Sequence, residues 1–315
     1  MRSAVLAVAA VLATVFSAGP AEAAPVAPYP VPYHLFVAEG RDNPEGSAAG
    51  SNDWSCRPTA AHPEPVVLVH GLGASRLNNW TTVSPLLANE GYCVFALTYG
   101  AVSVGGLDRT APPMNTIGGL ARMEDSAQEL SVFVDRVREA TGAGAVNIVT
   151  ASEGSVVAGY YVKFLGGAGL VRTVVSLGPA WNGTLTSFQG EAKRRLVELG
   201  AGEDLANVYP VCKACPQLAT GSDFLVRLHA GGVYAPDVRY TNIMTRYDQV
   251  ILPFTNGYEA APNATNIVVQ DGCPQDFADH LGLAADPRAT GYVLGALDPA
   301  HPRPVRCEAV LPLVG

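Results

Sequence analysis

Six short apolar runs recur along the chain, and their spacing sets the first structural expectation. VVLV (66–69), YCVFALTY (92–99), VNIVT (146–150), VRTVVSL (171–177), VRYTNIMT (238–245) and TNIVVQ (265–270) are of strand length and almost free of charge. Runs this short, apolar on successive positions and rich in Val and Ile, predict strands buried on both faces. Stretches with helical spacing lie between them. In 124–141 the residues Leu130, Val132, Phe133, Val134 and Val137 supply apolar positions, and Asp125 or Ser126 is placed to cap the start. A second helix is predicted over 155–165, directly after the third strand. Such alternation predicts an α/β fold, a mostly parallel sheet with helices on both faces, whose ligands bind at the carboxyl ends of the strands. Two longer segments break the rhythm: 99–123, rich in Gly and Pro, and 181–234, partly helical in pattern. Both follow strands, so they are expected to project over that edge as a small cap or lid.

The N-terminal pattern differs. Arg2 is followed by an apolar run over 4–16 and then by Gly19, Pro20, Ala21, Glu22 and Ala23. This is the layout of a secretory signal, residues 1–23, cleaved after Ala23. The run falls short of the ~20 residues a spanning helix needs, and no later segment reaches that length. An exported, extracellular protein with no membrane span is expected. Residues 24–60, rich in Pro, Ala, Gly and Ser, read as an extended arm, and 61–315 as one domain.

Composition narrows the partners. Only 15% of residues are charged and the formal charge is −8, which argues against nucleic acid, since phosphate binding needs clustered Lys and Arg. The six cysteines, Cys56, Cys93, Cys212, Cys215, Cys273 and Cys307, form an even set in an exported chain, so three disulfides are expected. Fifteen pairings are open in principle. The C-x-x-C at Cys212 could serve as a redox pair or half a zinc site; no histidine or second C-x-x-C lies nearby, which favours a local disulfide. No Asp-rich calcium loop is visible, and neither a metal nor a cofactor is expected. Asn79, Asn182 and Asn263 begin N-x-S/T sequons, a pattern that chance often produces.

The chemistry concentrates in VNIVTASEGSVVAGYYVKFL, residues 146–165. An apolar run, a turn of small residues and a helical pattern follow in the order of a nucleophile elbow, the strained turn that lifts a serine above a sheet. Ser152 is the candidate nucleophile. The usual G-x-S-x-G is here T-x-S-x-G, with Thr150 at the first position and Gly154 kept on the helix side. A second piece is VVLVHGLGAS (66–75), an apolar strand running into His-Gly-x-Gly. Glycines in such a loop let backbone N–H groups approach a substrate carbonyl. The N–H groups of Leu72 and Glu153 are the candidate oxyanion donors.

LVHGLGASRLNNW, the elbow, and YYVKFLGGAGLVRTVVSLGPAWNGT resemble the bacterial class 2 lipases, secreted α/β-hydrolases of actinobacteria. CPQLATGSDFLVRLHAGGV, NIMTRYDQVILP and DGCPQDFADHLGL resemble both that group and the fungal lipase B type of Candida. The similarity runs from about residue 56 to 307. It implies an α/β-hydrolase fold and bears on Thr150, because the fungal type also has threonine at the first elbow position and is a working esterase. Ala151 departs from the bacterial group, where histidine is usual; tuning, not loss, is expected.

Triad members in this fold follow the chain order Ser, Asp or Glu, His. Asp248, in TRYDQV, stands where both resembled families place the acid, with Asp237, Asp271 and Glu259 as alternatives. Only His280 and His301 satisfy the order, and His280, in ADHLGL, matches the family histidine. The resemblance also implies the pairs Cys56 with Cys93 and Cys273 with Cys307, leaving Cys212 with Cys215. The expected protein is a secreted, monomeric carboxylic-ester hydrolase of triacylglycerol lipase or esterase type, its partner a lipid or other ester at an oil–water interface. A polyester hydrolase or acyltransferase with the same triad is the close rival, and a catalytically silent binding protein the distant one.

Overall fold

The computed structural model describes residues 28–34, 46–103, 116–185 and 211–313. The signal segment, most of the arm between 24 and 45, and the middles of both long segments lie outside the described residues. All six apolar runs form strands: β1 (Val66–Val69), β2 (Val94–Leu97), β5 (Val146–Ala151), β6 (Val171–Leu177), β7 (Arg239–Met244) and β8 (Ala264–Val268). They make one sheet in the order β2-β1-β5-β6-β7-β8, every pair parallel.

Alternate residues of each strand serve opposite cores, which is why the runs are apolar without a break. Val67, Val69, Ile148 and Val174 pack with Leu130, Val134 and Val137 of α2 (Met123–Thr141), with Val157 and Tyr161 of α3 (Gly154–Phe164), and with Leu225 and Leu228 of α4 (Asp223–His229). Leu68, Val149, Val175 and Ile243 face the other way, onto Val83 and Leu87 of α1 (Val83–Asn89) and Ala289 and Val293 of α5 (Pro287–Leu297).

β1 pairs with β2 on one side and β5 on the other, so the strand order reverses between β1 and β5. The loops leaving these two strands therefore diverge and open a crevice at their carboxyl ends. The His-Gly-x-Gly loop leaves β1 there and the Ser152 turn leaves β5.

Two expectations change. Helix α2 starts from Arg122 with no side-chain cap, so neither Asp125 nor Ser126 fills that role. The Met123 N–H instead donates to Gln217 Oε1 at 2.8 Å, so an amide that a local cap would serve finds a distant partner. The segment 99–123 is not wholly loop: Val102–Ser103 (β3) pairs antiparallel with Thr116–Ile117 (β4). In 181–234, α4 is capped by Ser222, whose hydroxyl accepts from the Leu225 N–H.

The cysteines are bridged as Cys56–Cys93, Cys212–Cys215 and Cys273–Cys307, the pairing the resemblance implied. Among the described residues no helix is long and apolar enough to cross a membrane.

Candidate active site

Ser152 adopts φ +51°, in the left-handed region that non-glycine residues rarely enter. The turn is held on both sides. The Ser152 N–H donates to Leu177 O at the end of β6 (2.9 Å), and Ser152 O accepts from the N–H (3.0 Å) and hydroxyl (2.7 Å) of Ser155 in the first turn of α3. Gly154 is required by close approach: a Cβ there would stand 2.2 Å from Val69 O and 2.7 Å from His70 O. Thr150 fits at the first elbow position because its flanking partners in the sheet are Val69 and the small Ser176.

The loop after β1 is pinned by residues from several elements. The Gly71 N–H donates to Asn79 Oδ1 (2.9 Å) and the Gly73 N–H to Gly118 O (3.0 Å). The amides of Leu72 and Glu153 donate to no protein acceptor among the described residues. Gly71 lies against Ser152, a Cβ there standing 3.1 Å from Ser152 Cβ. His70 is buried, with Nδ1 2.8 Å from Gly71 O, Nε2 accepting from the Tyr99 N–H at 3.2 Å, and its ring stacked on Tyr99 at 4.2 Å. Burial pushes its pKa down to about 4 against the pull of the Gly71 carbonyl, so the ring is neutral and Nδ1 carries the proton that Gly71 O accepts.

Asp248 and His280 meet beyond the ends of β7 and β8. His280 Nδ1 lies 2.7 Å from Asp248 Oδ2, with both side chains buried. Asp248 Oδ1 accepts from the N–H groups of Val250 (2.9 Å) and Ile251 (2.6 Å), which fixes the carboxylate. The His280 N–H donates to Gln249 Oε1 (3.1 Å). The ring rests on Gly178, where a Cβ would stand 2.9 Å from Nδ1. Burial by itself pulls the imidazole down, but the charge and hydrogen bond of Asp248, with Asp279 beside it, outweigh burial and hold it above the ordinary histidine value. Ser152 is bonded to Leu177 and His280 is packed on Gly178, so both converge on adjacent residues at the end of β6.

The alternatives lie elsewhere. His301 has its side chain 80% exposed and pairs with Asp298 at 3.0 Å. Asp271 pairs with Arg246 at the surface. Asp237 is exposed, and Glu259 lies near Asn182. Sequence reasoning missed Asn79, noted only as a sequon, and the pair Gly118 and Gly119. Position along the chain carries no signal for these; folding brings them to the loop.

An elbow, an anchored glycine loop and an Asp–His pair at one sheet edge are the working parts of an α/β-hydrolase. The sequence pattern of the class 2 lipases, "Lipase (class 2)", matches residues 63–281. The chain belongs to the class 2 lipases. The family is one of lipases, that is, of carboxylic-ester hydrolases. Its fold is similar to that of Aspergillus fumigatus lipase B (TM-score 0.59, 14% identity), the match covering 82% of this chain and 57% of that one. The chain thus spans little more than half the length of the fungal protein. Bacillus licheniformis lipase BlEst2 in its mature form is similar at TM-score 0.53 and 17% identity, over 76% of this chain and 94% of that one. At these identities the likeness establishes a shared fold.

Proposed function

We propose that this class 2 lipase is a secreted triacylglycerol lipase or esterase that works through Ser152, His280 and Asp248 and an acyl-enzyme intermediate. In this reading residues 1–23 are removed on export, residues 24–60 form an arm and 61–315 act as one monomeric hydrolase domain. The reading rests chiefly on the Asp248–His280 pair at 2.7 Å, set against the same strand end that holds the Ser152 elbow. Three disulfides suit an oxidising extracellular setting.

The Ser152 hydroxyl attacks the ester carbonyl carbon as His280 Nε2 takes its proton. Asp248, bound at Nδ1, keeps the other nitrogen free as the acceptor and stabilises the imidazolium that forms. Negative charge gathers on the carbonyl oxygen, which the amides of Leu72 and Glu153 receive; each such donor is worth ~3 kcal/mol of barrier. The tetrahedral intermediate collapses as His280 returns the proton to the leaving alcohol. Water then repeats the sequence on the acyl-enzyme and releases the acid.

The test is Ser152→Ala with p-nitrophenyl esters of short to long acyl chains and an emulsified triglyceride. Turnover falls by at least about a thousandfold with the fold retained. Residual activity within about tenfold of wild type would overturn the assignment, and activity on the shortest esters alone would make the enzyme an esterase and not a lipase.

A further inference from the structure

Behind the two candidate oxyanion amides lies a carboxyl group that the reaction as written leaves unused. The Glu153 side chain is fully buried, and neither of its oxygens has a hydrogen-bond partner among the described residues. It is wedged against the turn of Gly118 and Gly119. A Cβ on Gly119 would stand 2.8 Å from Glu153 Oε2, 3.1 Å from Leu72 Cα and 3.4 Å from Gly71 O. The carboxyl, the oxyanion loop and this turn therefore meet around one point, which Gly119, at φ +74°, leaves open. An unpartnered polar group in such a place costs stability, and an apolar side chain of equal size would fill the same space without that cost.

We propose that the Glu153 side chain is a positioning residue for the oxyanion hole, bracing the Leu72 loop against the turn of Gly118 and Gly119 from behind the nucleophile. The inference rests on the proposed Ser152 reaction. Burial holds the carboxyl well above the usual carboxylate range, which favours the neutral acid, and with no hydrogen-bond acceptor in reach among the described residues it braces the loop by contact. No neighbouring charge offsets that burial. Tyr99 stacks on His70 and donates its hydroxyl to His70 O (2.6 Å). His70 is neutral, and Glu129, reaching in from α2, accepts the Gly100 N–H. The imidazole of His280, paired with Asp248, lies beyond the elbow on the β6 side. An ionised Glu153 would set a negative charge beside the oxygen that itself becomes negative in the transition state. Raising the pH through its ionisation therefore switches off turnover.

The experiment compares kcat, KM and the pH profile of wild type, Glu153→Met and Glu153→Gln on a p-nitrophenyl ester, with melting curves recorded for each. Glu153→Met should lower kcat by about tenfold or more with KM within about threefold, part of the roughly 100-fold that removing a donor costs. Glu153→Gln, which restores a neutral planar head group of the same shape, should recover most of the lost kcat and abolish the reversible alkaline fall of wild-type kcat. A Met variant as active as the Gln variant overturns the proposal, as does an alkaline fall that persists in Glu153→Gln. If neither variant folds, the wild-type profile decides: no reversible alkaline fall in kcat overturns the proposal, and its presence supports it. Labelling of wild-type Ser152 by an organophosphate keeps the two readings separable, since a labelled serine with an indifferent Glu153 sinks only this inference.

Discussion

Gly154→Ala should damage the enzyme far more than one added methyl group suggests. Its Cβ would stand 2.2 Å from Val69 O, 2.7 Å from His70 O and 3.0 Å from Val69 C. Every one of these atoms is backbone, so no rotamer change relieves the overlap; α3 must move off β1 by roughly 1 Å to reach ordinary contact. Overpacking typically costs about 1–3 kcal/mol, and a rigid backbone neighbour puts this site at the upper end. For a domain of this size about 3 kcal/mol lowers the melting temperature by roughly 6–12 °C. The same displacement carries the Glu153 amide and Ser152 away from Leu72, and a 1 Å misplacement costs about 100-fold in rate. Gly295→Ala is the matched control. It lies inside α5 with nothing within 4 Å of the added Cβ, so the same change should stabilise by about 0.5–1 kcal/mol. Calorimetry and ester turnover on both variants decide the matter. Gly154→Ala within about 0.5 kcal/mol of wild type and within threefold in kcat would refute the tight elbow.

The acid limb of kcat/KM should lie above the ordinary histidine value of about 6.5, because Asp248 holds the His280 cation; Asp248→Asn should lower both the limb and, severely, the rate. His280→Ala should abolish turnover and His301→Ala leave rate and profile nearly unchanged, and the reverse pattern in rate assays would overturn the triad. Burial, and then the charge of Asp276, raise Asp286 from 3.8 to about 6, against its bonds to the Arg288 and Ala289 amides and the Arg288 charge. The folded state therefore holds this proton more tightly: the stability it contributes is complete below about pH 4 and lost as pH rises through about 6. Asp286→Asn keeps a good helix cap and should flatten that slope, leaving the protein up to roughly 3 kcal/mol more stable at pH 7 by urea titration, where no gain would count against the buried charge. Thr150 is fully buried with an unpartnered hydroxyl, so Thr150→Val should raise stability by about 1 kcal/mol in the same titration, and a loss would reveal a partner for that hydroxyl.

The strands and the elbow were legible because each is written in a few consecutive residues. A strand buried on both faces must be apolar at every position, so VVLV and VRTVVSL announce themselves without a partner in view. Gly154 likewise marks a turn that presses helix on strand. The serine belongs to the same local record, whereas the acid and the histidine were named from the chain order of the fold and from the family resemblance.

Where each of those residues ends up was decided by segments far apart in the chain. His280 and His301 both satisfy the triad order; only folding puts His280 on Asp248 at 2.7 Å and leaves His301 in solvent beside Asp298. The start of α2 looked like a local cap until Gln217, 94 residues away, took the Met123 amide. Asn79 anchors the loop after β1, and Glu153 is a surface-type residue by composition that the sheet, the His70 loop and the turn of Gly118 and Gly119 bury completely. The reason is physical. Apolar periodicity and turn strain are energies of neighbours along the chain, whereas burial, pairing and protonation depend on what other segments bring to the same point in space.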